Sequence, residues 1–193
     1  MALAGRRVDA RGAERPRFPL ANIEAVAQRL RTVLADLEPE ILVSSAACGA
    51  DLLALDTART LGIRRRIVLP FDASRFRASS VVDRPGEWGP LFDSLYEEAL
   101  SSNDVVILPC EGDDEAAYAA ATDRIVTEAL SLAERTNPEG IVSLGREPTA
   151  IVVWEGESWG EGDMTARFAA LAANGGMRVV EVATLGGPQV GGA

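Results

Sequence analysis

Short apolar segments alternate along this chain with longer stretches in which apolar residues recur every three or four positions. Most short segments are continuous runs of Val, Ile and Leu, which is typical of strands buried on both faces of a parallel sheet. The longer stretches have the spacing of amphipathic helices. This alternation predicts an α/β fold, a three-layer α/β/α sandwich with a mostly parallel sheet of about six strands. The predicted strands are Ala2–Leu3, Ile41–Ser45, Arg66–Phe71, Asp104–Cys110, Thr149–Trp154 and Met177–Thr184.

Five helices are predicted between these strands. The first begins near Asn22, the second ends before Gly62, and the third covers about Glu87 to Ser101. The fourth begins near Asp113 or Asp114, and the last covers about Met164 to Ala173. Open parallel sheets bind ligands outside the carboxyl ends of their strands, so we expect a site in the loops that follow the strands.

The length of 193 residues fits one domain, which we place at residues 1–185, and the Gly-rich residues 186–193 are predicted to be a flexible tail. No apolar stretch approaches the length of a membrane span, and the first residues lack the features of a secretory signal. The sequence therefore predicts a cytoplasmic protein.

Composition restricts the chemistry. The chain has no histidine, which excludes Ser-His and Cys-His catalysis and most zinc hydrolase sites, so acid–base work must come from carboxylates. The two cysteines, Cys48 and Cys110, are predicted to be reduced and buried. With a net charge of −10 and dispersed basic residues, duplex nucleic acid is not expected as a partner. No metal or cofactor is predicted.

The segment Ile41–Leu55 reads as strand, tight loop and helix. Such a junction presents backbone N–H groups and the positive end of a helix dipole, which favour an anionic or polar ligand. Ser44, Ser45, Gly49 and Asp51 are the candidate ligand-binding residues of this loop. Alternatively, Asp51 caps the helix and the two serines satisfy loop backbone groups.

Two later loops are also expected at the carboxyl edge. One follows the third strand and carries Arg75, Arg77 and Arg84, which bind phosphate or form a structural clasp with Asp83 and Glu87. The other covers residues 154–166, where glycines again precede a helix. The alternative for this second loop is a flexible acidic segment with Asp163 as the helix cap, and its carboxylate spacing matches no calcium loop.

The loops at residues 44–55 and 154–166 resemble two signatures of the SLOG superfamily, which includes the LOG phosphoribohydrolases and the ligand-binding region of melastatin-type TRP channels. The likeness runs from Gly5-Arg6-Arg7 to about Thr184, and is greatest to bacterial signalling-type members that share Val68-Leu-Pro-Phe71 and the stretch from Ser80 to Trp88. Arg6 replaces a common family histidine, and Gly162-Asp163-Met164-Thr165 replaces a common Gly-Gly-Thr.

The resemblance implies a Rossmann-like fold that binds a nucleotide or a nucleotide-derived ligand. It adds candidate ligand-binding residues to those of the first loop, namely Gly5, Arg6, Arg84, Glu155, Gly156, Gly162 and Thr165. A homodimer is a further expectation from the family.

Three functions follow as hypotheses. The first is a nucleotide-binding sensor or signalling module in which Asp51 holds a ribose hydroxyl and Arg84 an anionic group. The second is an N-glycoside hydrolase or phosphoribohydrolase-like enzyme, with Glu155 or Asp51 as the candidate catalytic carboxylate and one carboxylate of raised pKa acting as the acid. The third is an interaction scaffold whose ligand cleft is filled by side chains.

Overall fold

A six-stranded, entirely parallel sheet forms the middle layer of the protein. The computed structural model describes residues 1–109, 113–135 and 147–186. The sheet order is β4-β3-β2-β1-β5-β6. The strands are β1 (Ala2–Gly5), β2 (Ile41–Ser44), β3 (Arg64–Leu69), β4 (Val105–Ile107), β5 (Thr149–Trp154) and β6 (Arg178–Ala183). The predicted fold class, a Rossmann-like three-layer α/β sandwich, is confirmed.

Helices cover both faces of the sheet. They are α1 (Ile23–Leu37), α2 (Ala50–Thr60), the short α3 (Ala73–Phe76), α4 (Trp88–Ser101), α5 (Asp114–Arg135) and α6 (Met164–Asn174). Apolar residues of α1, α2 and α4 share one core cluster with Leu3, Leu42 and Ile67. Residues of α5 and α6 share the other with Ala2 and Val43. Neighbouring strand residues therefore face opposite helical layers, which explains why the strands are apolar throughout.

Strand β1 is the point at which the direction of strand addition reverses. The chain adds β2, β3 and β4 on one side of β1, and then crosses back to place β5 and β6 on the other side. Loops that leave β1 and β5 diverge at such a switch point and open a crevice at the carboxyl edge of the sheet. The topology thus determines where a ligand site can form.

The structure corrects several predicted boundaries. Strand β3 begins at Arg64 and ends at Leu69, two residues earlier than predicted at each end, because Arg64 already pairs in register with Ile41 at the start of β2. Strand β1 extends to Gly5, and β4 is limited to Val105–Ile107. Helix α3 and the π-helical turn Arg77–Val81 that follows it were not predicted.

Cys110 and residues 187–193 of the predicted tail lie outside the described residues. Among the helices that the structure does describe, none is both long and apolar enough to cross a bilayer.

Candidate ligand-binding site

A cleft of about 870 Å³ opens at the carboxyl edge of the sheet, at the switch point. This volume lies within the range of small-molecule sites, roughly 300–1,000 Å³. The loops after β1, β2 and β5 line it together with the π-helical turn and the first turns of α5. The two segments that carry the family resemblance, residues 44–55 and 154–166, therefore contribute to one concavity.

Seven of the predicted ligand-binding residues line this cleft, namely Gly5, Arg6, Ser45, Asp51, Arg84, Gly162 and Thr165. The other four, Ser44, Gly49, Glu155 and Gly156, are not among its lining residues. Ser44 is fully buried within β2, and Gly156 lies in an exposed turn.

Gly5 and Gly49 let segments of the protein approach one another closely. A Cβ atom on Gly5 would lie 2.5 Å from the Ala50 Cβ and 2.6 Å from the Val153 Cβ. A Cβ atom on Gly49 would lie 2.8 Å from both the Arg6 carbonyl oxygen and the Val8 nitrogen. These glycines are needed because α2 begins against the end of β1, and this packing places the first turn of α2 at the cleft.

Arg6 is the centre of a buried ion cluster with Glu155 and Asp163. Its Nε lies 2.7 Å from Glu155 Oε2, and its Nη1 lies 2.6 Å from Asp163 Oδ1. Nη2 donates to the second oxygen of each carboxylate and to the carbonyl oxygen of Glu157. All three charged side chains are at most 7% exposed. One guanidinium therefore holds two carboxylates, and the cluster keeps a net negative charge.

This cluster changes the expected roles of Arg6 and Glu155. Burial raises the pKa of Glu155, but hydrogen bonds from Arg6 and Trp159 outweigh it and leave that pKa below its ordinary value. Glu155 thus does not have the raised pKa expected of a general acid. Arg6 has its donors engaged by protein oxygens, so it is a structural residue at the cleft wall.

The amino end of α6 already holds an anion, the carboxylate of Asp163. This carboxylate accepts hydrogen bonds from the N–H groups of Thr165, Ala166 and Trp159. Burial acts to raise the pKa of Asp163, but hydrogen bonds from Arg6 and from the Ala166 and Trp159 amides outweigh burial. The pKa therefore lies below its ordinary value, and Asp163 remains ionised. Asp163 is the helix cap that the sequence suggested, and it occupies the position at which a ligand phosphate would bind this helix.

Asp51 is the carboxylate that the cleft leaves incompletely paired. It is 5% exposed, and its Oδ2 accepts the Ala47 N–H at 3.3 Å, whereas Oδ1 has no hydrogen-bond partner. The N-cap of α2 is Gly49, so the alternative in which Asp51 caps this helix is wrong. The Asp51 carboxylate instead accepts the N–H of Ala47 in the preceding loop. Burial raises the pKa of Asp51 to about 7, while the Ala47 hydrogen bond and the nearby Gly5 N–H, which does not meet the geometry of a hydrogen bond, act to lower it.

This pKa predicts a pH-dependent stability. An acid whose pKa is raised from 3.8 to about 7 binds its proton more tightly when folded, so stability is lost as pH rises between these values. Asp51→Asn should remove this dependence and stabilise the protein at pH 8, by at most about 4 kcal/mol. Urea unfolding at pH 5 and pH 8 measures it, with the exposed Asp123→Asn as the matched control. A variant no more stable than the wild type at pH 8 would contradict the prediction.

Arg7 and Arg84 share one carboxylate beside the same loop. Arg7 Nη2 lies 3.0 Å from Asp83 Oδ2, and Arg84 Nε lies 3.3 Å from the same oxygen. The side chains of all three residues are about 30% exposed. Two guanidiniums with one carboxylate leave a net positive charge at the mouth of the cleft.

Arg75 and Arg77 form structural ion pairs, as in the clasp alternative, but their partners are not Asp83 and Glu87. Arg75 pairs with Asp114 of α5, and Arg77 pairs with Asp93 of α4 at 2.7 Å. Both pairs join neighbouring elements.

Several lining residues were not identified from the sequence. The Tyr118 hydroxyl is 2.7 Å from Ser80 Oγ and 3.2 Å from Ser79 Oγ, and the buried Phe76 lies behind this wall of the cleft. Arg15, Arg17 and Trp159 line the cleft from two other loops. Tyr118 has the spacing of a core residue of α5, and no local pattern distinguishes a core aromatic from one at a cleft wall.

Two possible chemistries find no support here. Burial raises the pKa of the Cys48 thiol to about 12, so this cysteine is not a nucleophile at neutral pH. Within residues 1–109, 113–135 and 147–186, no group of three or more Cys, Asp or Glu side chains is arranged to hold a metal ion.

No protein-family model matches the chain, and a search of curated proteins finds no similar sequence.

Proposed function

We propose that this cleft binds a nucleotide or nucleotide-derived ligand and that the protein is a sensing module of the SLOG superfamily. The observation that carries the proposal is Asp51, a buried carboxylate with one unpartnered oxygen that lines a cleft at the switch point. A buried polar atom without a partner costs stability, so its retention calls for a ligand donor as the missing partner.

The lining offers a partner for each part of a nucleotide. Asp51 Oδ1 would accept a ribose hydroxyl, and the net positive charge of Arg7 and Arg84 would hold a phosphoryl group. The partly exposed ring of Tyr118 would contact the base. The open volume of the cleft argues against the third hypothesis, a scaffold whose cleft is filled by side chains.

Calorimetric titration at pH 8 tests this assignment. We expect micromolar binding of at least one ribonucleotide, with roughly 10-fold weaker binding of its 2′-deoxy or 3′-deoxy form because a charged hydrogen bond is lost. Asp51→Asn should reduce this preference, because the amide oxygen is held by the Ala47 N–H and the uncharged amide nitrogen that faces the ligand can only donate to the hydroxyl. Asp123→Asn, an exposed change of the same type, should leave it intact.

Absence of heat and of a melting shift with nucleotides, cyclic dinucleotides and ADP-ribose derivatives would overturn the proposal. A ribose preference that is undiminished in Asp51→Asn would refute the role of Asp51 and leave the ligand class standing.

N-glycoside hydrolysis is the second candidate, and the raised pKa of Asp51 favours it because a neutral carboxyl can act as a general acid. Glycoside hydrolysis generally needs a second carboxylate near the reacting bond. Glu155 does not supply it, since both its oxygens bind Arg6. We therefore rank binding above turnover. Chromatography for free base after incubation with nucleotides separates the two, and base release that is lost in Asp51→Asn would establish the enzyme.

A homodimer remains a proposal from the family resemblance. Light scattering at several protein concentrations tests it.

A further inference from the structure

The loop of residues 9–18 is fixed at its base and exposed at its tip. The Asp9 N–H donates to the Phe18 carbonyl oxygen at 2.9 Å, and the Asp9 carboxylate accepts the N–H groups of Arg17 and Phe18. The Phe18 side chain is fully buried, and the Thr184 hydroxyl donates to the Arg17 carbonyl oxygen. Compact loops with joined ends frequently carry functional residues. This one holds the backbone of Arg17 beside the cleft.

Two arginines of this loop lie over one indole ring. The guanidinium carbon of Arg17 is 4.1 Å from the Trp159 ring centroid, and that of Arg15 is 5.5 Å away. The ring is held from below: its Nε1 donates to Glu155, and the Trp159 backbone N–H donates to Asp163. Trp159 is thus anchored on the buried Arg6 cluster, although the residue is 36% exposed.

Neither guanidinium has a carboxylate within ion-pair distance among residues 1–109, 113–135 and 147–186. Glu155 and Asp163 bind Arg6, and Asp9 binds backbone amides. Glu14 of the same loop also lines the cleft, without an ion pair to either arginine among the described residues. Stacking on an indole occupies the face of a guanidinium and leaves its N–H donors at the rim free. Arg15 and Arg17 therefore line the cleft with donors available to a ligand, and neither forms an ion pair within the part of the chain that the structure describes.

We infer that Arg15, Arg17 and Trp159 form a second anion subsite, and that the ligand is a nucleotide with more than one phosphoryl group. This inference rests on the proposed function. The pair Arg7 and Arg84 lies on the β2 side of β1, whereas Trp159 follows β5 on the other side. Each side thus has its own pair of arginines. A single phosphate can bind one pair, while a pyrophosphate-containing nucleotide can bind both.

Calorimetry with ADP and AMP tests the subsite. We expect ADP to bind at least 10-fold more tightly than AMP. Arg17→Gln and Arg15→Gln should each weaken ADP binding roughly 10-fold and AMP binding less than 2-fold, as expected for one charge-assisted hydrogen bond. Arg167→Gln, an exposed arginine paired with Asp123 elsewhere on the surface, is the charge-matched control. Equal losses for ADP and AMP would overturn the inference.

Titration with inorganic pyrophosphate gives a readout that needs no nucleotide binding. Drawing the arginines toward an anion should change tryptophan emission in the wild type, and the change should be absent in Trp159→Phe and in the Arg15→Gln/Arg17→Gln double variant. If pyrophosphate acts and no nucleotide binds, the subsite stands and the proposed function fails. If AMP binds as tightly as ADP and pyrophosphate leaves the emission unchanged, the subsite fails and the proposed function stands.

Discussion

Arg6→Met lowers the free energy of unfolding by about 3–5 kcal/mol at pH 7, the largest loss that we expect from a single side chain in this protein. The substitution leaves the carboxylates of Glu155 and Asp163 buried without a cation, since their side chains are only 5% and 2% exposed. Methionine fills much of the same space but removes the guanidinium that holds both carboxylates. Urea unfolding measures the loss.

The pH dependence of this loss has a defined sign. In the wild type, both carboxylates have lowered pKa values, so they contribute stability above their unfolded values and lose it as pH falls through the folded ones. In Arg6→Met, burial is no longer opposed by the guanidinium and raises both pKa values. The destabilisation should therefore be smaller at pH 4.5 than at pH 7.

Two further variants identify the cause. Adding Glu155→Gln and Asp163→Asn to Arg6→Met should recover part of the stability at pH 7, because no unpaired charge remains buried. Arg167→Met breaks an ion pair whose side chains are 44% and 48% exposed, and should cost less than about 1 kcal/mol. A loss for Arg6→Met as small as that for Arg167→Met would refute the structural role of the cluster.

Gly49→Ala should destabilise the protein by about 3 kcal/mol or more, through strain and overpacking together. Gly49 has φ of 98° and ψ of −124°, a conformation that residues with a Cβ rarely adopt. The added methyl would also lie 2.8 Å from two backbone atoms of the segment after β1. Relief of this contact requires α2 to move away from β1, which would displace Asp51 from the cleft floor.

Gly62→Ala is the matched control for this prediction. Gly62 has φ of +72°, but nothing lies within 4 Å of a Cβ atom added there. Gly62→Ala should therefore lower the free energy of unfolding only by the strain of an alanine in the left-handed conformation, about 1–2 kcal/mol. Thermal unfolding of the two variants compares them directly, and similar melting temperatures would show that the contact with β1 is not tight.

The α/β architecture could be predicted from the sequence because burial on both sheet faces requires strands that are apolar throughout, such as Thr149–Trp154. Helical periodicity likewise located α1, α2, α4, α5 and α6. The short α3 and the following π-helical turn were missed because four or five residues are too few to show a period.

The sequence by itself determined the layers of the sandwich, the loops at the carboxyl edge and the carboxylate that caps α6, since periodicity and capping depend on residues within a few positions of one another. Only the tertiary structure decided that Arg6 pairs with both Glu155 and Asp163, which lie 149 and 157 positions away, and that Asp51 is left with an unpartnered oxygen. Nor does local sequence indicate that Arg15 and Arg17 meet Trp159. The physical reason is that the charge available to a ligand depends on which ionic groups already pair within the protein, and strand order sets that pairing.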